Sequence, residues 1–214
     1  MTGAPAGRTV RVDAEAPASA ILATAASLLR TGGLVAFPTE TFYGLGANAF
    51  DADAVGRVFR AKGRPADKPL LVLVDSLEMA SAVVAGLPAR AQLLIARYWP
   101  GPLTLILPAR PELPSALTAG TGTVGVRIPG HPVARALVAA TRQPLTAPSA
   151  NPDGAPPPRT ADEVLAGLGD AVDLVLDGGP TRGGPASTVL DLCGGRPRVV
   201  RPGAVTLAPE DLAG

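Results

Sequence analysis

The sequence predicts an α/β fold, a single domain built on a twisted, mixed parallel and antiparallel sheet flanked by helices. Three observations carry that prediction. Continuous apolar runs, LVAF at 34–37, LLVLV at 70–74 and LTLILP at 103–108, have the length and composition of strands covered on both faces. Between them lie segments with apolar residues at helical spacing, of which Ile21, Leu22, Ala25, Leu28 and Leu29 form the clearest set. The C-terminal part supplies strands without intervening helices, LVLDGG, STVLDL and PRVVRPG, which requires antiparallel pairing beside a parallel core.

In chain order, residues 1–16 read as a polar, loosely held lead-in, and the folded domain as 17–207. The first helix ends at Thr31-Gly32-Gly33, where glycine suits a left-handed cap, and the strand at 34–37 begins at once. A second helix opens on Asp51, whose carboxylate can cap the first amides. It runs through Val55, Val58 and Phe59 to Lys62, before Pro65 and the strand at 70–74. Helices near 76–85 and 88–98, the strand at 103–108, the strand TVGVRIP and a helix from Pro132 to Thr141 follow. PLTAPSAN at 144–151 is a short element, DGAPPPRT at 153–160 a stiff, extended loop, and 161–168 a helix, with the closing strands after it. Residues 208–214 read as a tail.

Composition narrows the function. A net charge of +1 gives no global field for nucleic acid, and 3% aromatics leave few platforms for stacked bases, so any positive site is local. The uncharged stretches 16–29 and 113–126 are too short to span a bilayer. The first resembles a signal-peptide core, but Asp13 and Glu15 stand where basic residues are wanted, so cytoplasm is the expected location. A single cysteine, Cys193, excludes an internal disulfide and a Cys-rich zinc site, and a single histidine, His131, removes the usual metal cages. No protein metal site is expected; metal arrives with a substrate. His131, before Pro132, reads as a helix start rather than a base, and Cys193 as a small buried side chain rather than a nucleophile.

Chemistry concentrates between Phe37 and Leu71, FPTETFYGLGANAFDADAVGRVFRAKGRPADKPLL. Lys62 and Lys68 are the whole lysine complement of the chain. With Arg64 they combine point charges and a planar fork, a mixture suited to polyphosphate, although a solvated helix end accounts for the segment equally well. Two patterns imitate a dinucleotide fingerprint, Gly44-x-Gly46-x-x-Ala49 and Gly120-x-Gly122-x-x-Gly125. Neither stands between a strand and a helix opening on its last position, and no Walker loop is present. Arg127 and Arg201 each sit in an apolar strand followed closely by proline. Such arginines need partners: either a nearby carboxylate, Asp177 or Asp191, or a shared anion groove with Ser149 and Ser187.

Taken together, PTETFYGLG, Lys62-x-Arg64-Pro65 with Lys68-Pro69-Leu70, Ser149-x-Asn151, STVLDL and the RPG turn resemble the YrdC/TsaC family of threonylcarbamoyl-adenylate synthases over about residues 18–205. That resemblance implies a YrdC-like domain with a concave, positively charged groove, in the short form of the family. It implies a nucleotidyltransferase that makes threonylcarbamoyl-AMP and pyrophosphate from L-threonine, bicarbonate or CO2 and ATP. Magnesium accompanies the phosphates, and downstream proteins transfer the threonylcarbamoyl group to the tRNA adenosine beside the anticodon. Carried onto matching positions, Lys62 and Arg64 are catalytic, and Arg64, Lys68, Thr123, Ser149, Asn151 and Arg201 hold the nucleotide. Thr41, Arg127 and Ser187 hold threonine, with Arg127 on its carboxylate and Thr41 or Ser187 on its hydroxyl, so valine should be rejected more strongly than serine. Lys62→Ala and Arg64→Ala should each lose most activity while staying folded. Several relatives carry histidine at the position of Leu73 and serine at Asp153 or Pro157, which bears on the pocket wall and the loop after Ser149-x-Asn151. The competing reading is a noncatalytic module that tracks tRNA or double-stranded RNA, disfavoured by the charge balance.

Overall fold

The computed structural model describes residues 8–213. In chain order the elements are β1 (Arg8–Arg11), α1 (Ser19–Arg30), β2 (Val35–Pro38), β3 (Tyr43–Gly46), α2 (Ala52–Lys62), β4 (Leu71–Leu73), α3 (Leu77–Ser81), α4 (Ala89–Tyr98) and β5 (Leu103–Pro108). They continue with α5 (Ser115–Thr118), β6 (Thr123–Arg127), α6 (Pro132–Thr141), β7 (Leu145–Thr146), α7 (Ala161–Leu168), β8 (Leu174–Asp177), β9 (Thr188–Asp191), β10 (Arg198–Arg201) and α8 (Pro209–Leu212). The mixed α/β class holds. The strands form a four-stranded ladder, β1-β8-β2-β3, and a six-stranded ladder, β10-β9-β5-β6-β4-β7, each with parallel and antiparallel pairs.

The two ladders meet along β3. Leu45 N donates to Pro148 O at 2.8 Å, Thr146 N to Ala47 O at 2.9 Å and Ala150 N to Tyr43 O at 2.9 Å. The Thr146 hydroxyl completes the seam, donating to Leu45 O and accepting from Ala47 N. This seam hangs the segment carrying Ser149 and Asn151 against the strand that follows Thr41. β3 had no strand signature, because its glycines mask the alternation. Gly46 needs to be glycine, since a Cβ there would stand 2.7 Å from the Phe37 ring.

Strand alternation builds two cores from one apolar run. Leu34 and Ala36 face a large cluster with Val55 and Val58 of α2, while Val35 and Phe37 face a second cluster with Leu29 of α1 and Leu137 of α6. That two-sided burial explains the unbroken hydrophobicity of 34–37. α2 begins as its sequence indicates, with Asp51 Oδ1 accepting from Asp53 N and Ala54 N, and ends at Gly63 in the left-handed region, φ 58°.

Both chain ends depart from expectation. The lead-in residues 1–7 lie outside the described residues, but Arg8–Arg11 form a strand beside β8, with Thr9 opposite Val175. At the other end α8 folds back on α4: the Asp211 carboxylate, 8% exposed, accepts from the Tyr98 hydroxyl, Arg97 and the Ala208 amide. A short helix that supplies its own buried acceptor is not a tail. No helix among the described residues is long and apolar enough to cross a membrane.

Candidate active site

The helical spacing of α2 decides where the cations go. Ala54, Val55 and Val58 turn inward, and Lys62, one turn beyond Val58, lands on the same face, only 3% exposed. Its ammonium donates to the carbonyl oxygens of Ser149 and Asn151. Burial, helped by the neighbouring Arg64 charge, brings its pKa from 10.5 down to about 8. Lys62 is thus a strut between α2 and the Ser149–Asn151 segment, behind the cavity wall. Asn151 stands behind that wall too, its side-chain amide donating to Pro152 O and Ala155 O, both at 2.8 Å, and its buried Oδ1 unpartnered.

Beyond Gly63 the chain reverses and Arg64 reaches a cavity of about 520 Å³. Arg64 Nε and Nη2 donate to Lys68 O at 3.1 Å and Pro69 O at 3.0 Å, so the loop wraps its own guanidinium and sets its plane. Asp153 bridges the cations: Oδ1 lies 3.2 Å from Arg64 Nη1 and Oδ2 lies 2.6 Å from Lys68 Nζ. The Lys68 hydrogen bond above all holds the Asp153 carboxyl below the usual carboxylate range.

The opposite partner arrangement surrounds Arg127 on β6. It is 3% exposed and donates through Nη1 to Glu40 Oε1, the carboxylate just before Thr41. Neither carboxylate considered from the sequence is its partner, because Asp177 pairs with Arg11 and Asp191 with Arg198. The pair is incompletely satisfied, since Arg127 Nε and Glu40 Oε2 are buried without hydrogen-bond partners. Leu73, opposite Arg127 in the β4–β6 register, is fully buried and gives that wall an apolar backing.

Arg201 closes the third side. Its Nε and Nη2 reach Ser187 O at 3.1 and 2.9 Å, and Nη2 also reaches Ser187 Oγ at 2.9 Å. Ser187 Oγ shares a further hydrogen bond with Thr104 Oγ1 at 3.1 Å. Thr123, at the start of β6, bonds the Thr121 hydroxyl at 2.9 Å, and Thr41 Oγ1 stands 3.3 Å from Thr39 Oγ1.

Thr41, Arg64, Lys68, Thr123, Arg127, Ser149, Ser187 and Arg201 all line this one cavity, drawn from six separate parts of the chain, whereas Lys62 and Asn151 support it from outside. Pro157 lines it as well. Sequence reasoning missed Glu40, Thr104 and the clamp made by Asp153. Thr104 had no signal, being one hydroxyl in an apolar strand; Glu40, an acid between two threonines, had a faint one. His131 is the helix cap expected, its Nδ1 accepting from Val133 N. Cys193 is exposed rather than buried; partial desolvation and the Asp191 carboxylate push its thiol up to about 11, which leaves it a poor nucleophile. Among the described residues no three His, Cys, Asp or Glu side chains converge on a metal position.

Fold and site together define an α/β protein with a cation-lined cavity, walled by the buried Arg127, which pairs with Glu40, and by Arg64 and Lys68, which share Asp153. A family profile, Sua5/YciO/YrdC, described as telomere recombination, matches residues 27–203, and the chain belongs to this family. It is 47% identical over 183 residues to a threonylcarbamoyl-AMP synthase of Pyrococcus abyssi, covering 86% of this chain and 54% of that protein. A Bacillus subtilis protein of the same name is 46% identical over 186 residues, with the same coverage of 86% and 54%. The chain thus spans about half the length of these curated relatives. In structure it is similar to P. abyssi Sua5 complexed with L-threonine, with a TM-score of 0.88 and 44% identity, covering 92% of this chain and 57% of that one. It is also similar to Escherichia coli YciO, TM-score 0.84 and 28% identity, covering 92% and 96%.

Proposed function

We propose that the cavity makes threonylcarbamoyl-AMP, an adenylyl transfer from ATP to the carbamate of L-threonine, as the first step of a tRNA modification in the cytoplasm. The neutral amine of threonine adds to CO2, losing a proton and gaining a carboxylate. A carbamate oxygen then attacks the α-phosphorus of ATP in line, the bond to the β-phosphate oxygen breaks, and pyrophosphate leaves. Two anions must meet, so catalysis lies in positioning and in fixed positive charge, with no covalent enzyme intermediate.

In this reading Arg127 takes the threonine carboxylate, and Thr41 and Ser187 flank its hydroxyl. Arg64, Lys68, Thr123 and Ser149 hold the polyphosphate, Arg201 meets the α-phosphate, and Lys62 with Asn151 keeps the Ser149 segment in place. Ile106, Val189 and Val200 offer the base an apolar wall. Magnesium would enter on the nucleotide as part of the substrate and would offset phosphate charge there. The observation that carries the reading is the contact between Arg201 and Ser187, 2.9 Å from Nη2 to Oγ, because it joins a guanidinium assigned to the nucleotide with a hydroxyl assigned to threonine. Direct transfer demands such adjoining subsites.

The test is pyrophosphate release by the purified chain with ATP and magnesium, omitting threonine or bicarbonate in turn. The expected result is release only when both are present, with the adenylate detected by mass spectrometry. Release without either, or none at all, would discard this function.

A further inference from the structure

We propose that Asp153 is a resident competitor for the phosphate ligand: its carboxylate, not itself part of the cavity lining, pairs with Arg64 and Lys68, the two cations that line one end of the cavity, and sets how loosely a polyphosphate is held there. The inference rests on the adenylation reading only in taking that ligand to be the polyphosphate of a nucleotide.

The geometry imitates a bound phosphate. One Asp153 oxygen sits 3.2 Å from Arg64 Nη1 and the other 2.6 Å from Lys68 Nζ, each cation meeting its own oxygen. Arg64 cannot withdraw, because the carbonyls of Lys68 and Pro69 hold its other nitrogens. The Asp153 backbone is equally fixed, its amide donating to Lys62 O at 2.7 Å. Rotation of the short Asp153 side chain frees Arg64, and rotation of either the Asp153 or the half-exposed Lys68 side chain parts that pair, with no shift of the loop needed. Access permits it: the side chains of Asp153, Arg64 and Lys68 are 19%, 20% and 50% exposed, so water can replace the carboxylate as it swings out. An arriving polyphosphate must displace this carboxylate or bind beside a like charge, and both weaken its hold. The same carboxylate would re-enter as pyrophosphate departs, hastening release.

The experiment is calorimetric titration of inorganic pyrophosphate into the wild-type chain, Asp153→Asn and Asp153→Glu, with thermal unfolding of each. Asp153→Asn should bind about tenfold more tightly, Asp153→Glu close to wild type, and the gain should shrink as salt rises. The thermal midpoint of Asp153→Asn should not rise, since the cations lose a partner; tighter binding with unchanged or lower stability separates competition from general stiffening. Equal or weaker binding by Asp153→Asn overturns the inference and assigns Asp153 to positioning Arg64 and Lys68, leaving the proposed activity untouched. Absence of pyrophosphate binding in wild type and variant alike overturns the anion site itself. If the variants behave as expected but threonine and bicarbonate elicit no pyrophosphate from ATP, the activity falls and the competitor stands.

Discussion

The two ends of the cavity hold positive charge by opposite means. At one end Arg127 and Glu40 are shut into the fold, with side chains 4% and 17% exposed and polar atoms left unpartnered. At the other, Lys68 is half exposed and shares its partner, Asp153, with Arg64. A buried pair has one geometry, because any other leaves a charge stranded in low dielectric; an exposed pair exchanges readily with water and ligand. The difference suits two tasks. In the proposed reaction a fixed fork would orient a small carboxylate the same way each time, and an exchangeable cluster would admit a polyphosphate and let pyrophosphate go.

The comparison breaks first at Arg127. Arg127→Ala leaves Glu40 buried without its cation and should destabilise the fold by about 3–5 kcal/mol, with amino-acid-dependent pyrophosphate release falling about 10²–10³-fold. Combining Glu40→Gln with Arg127→Met should recover much of the stability, as denaturant unfolding would register, and none of the activity. Stability that stays low in the double variant would mean that the loss is one of packing rather than of stranded charge.

Lys62 sharpens the contrast, because it belongs to the exchangeable end by sequence and to the buried class by structure. Lys62→Ala strips a charged donor from two carbonyls and should cost about 2–3 kcal/mol, visible as a lower unfolding midpoint. Arg64→Ala, which removes a partly exposed pair, should cost about 1 kcal/mol or less while pyrophosphate binding weakens about 10–100-fold. Losses of this size leave a domain of ordinary stability, about 5–15 kcal/mol, folded, so both variants are still expected to stay folded, Lys62→Ala with the lower midpoint.

Titration of Lys62 gives a smaller effect with a definite sign. Its folded-state pKa, about 8, lies below its ordinary 10.5, so between these values the unfolded chain binds more protons than the folded one. Stability contributed by this group therefore rises with pH across that window, and the wild type should gain on Lys62→Met between pH 8 and 10 in parallel urea titrations. An anion that does not itself titrate in this range, such as sulfate, would raise the Lys62 pKa when bound nearby, so its binding at a pH of about 8.5 should take up protons, measurable by calorimetry in buffers of different ionisation enthalpy. The smallest effect belongs to the rim: Arg198, whose side chain is 73% exposed against Asp191, should change stability by less than about 0.5 kcal/mol when replaced by alanine.

What the sequence could reveal follows the same division between local and long-range causes. Asp51 announced a helix start and Gly63 lies in its left-handed cap, because capping is settled within a few residues. β1 and β3 were illegible: Arg8–Arg11 is a strand only because β8 lies beside it, and β3 carries glycines where alternation would otherwise be read. At the site, hydroxyls and cations named the cavity lining, but the partners did not follow. Glu40 reaches Arg127 across 87 positions and Asp153 reaches Arg64 across 89, distances over which no local pattern speaks. The burial of Lys62, by contrast, was available, since the spacing of Val55, Val58 and Lys62 puts all three on one face.

The most direct test of the account is a crystal structure of this chain with L-threonine and a non-hydrolysable ATP analogue. The account predicts the threonine carboxylate on Arg127, the polyphosphate between Arg64 and Lys68, and the α-phosphate beside Arg201, with the two ligands in contact. A nucleotide bound outside this cavity, or a threonine carboxylate on Arg64 and Lys68 with Arg127 still paired only to Glu40, would contradict it.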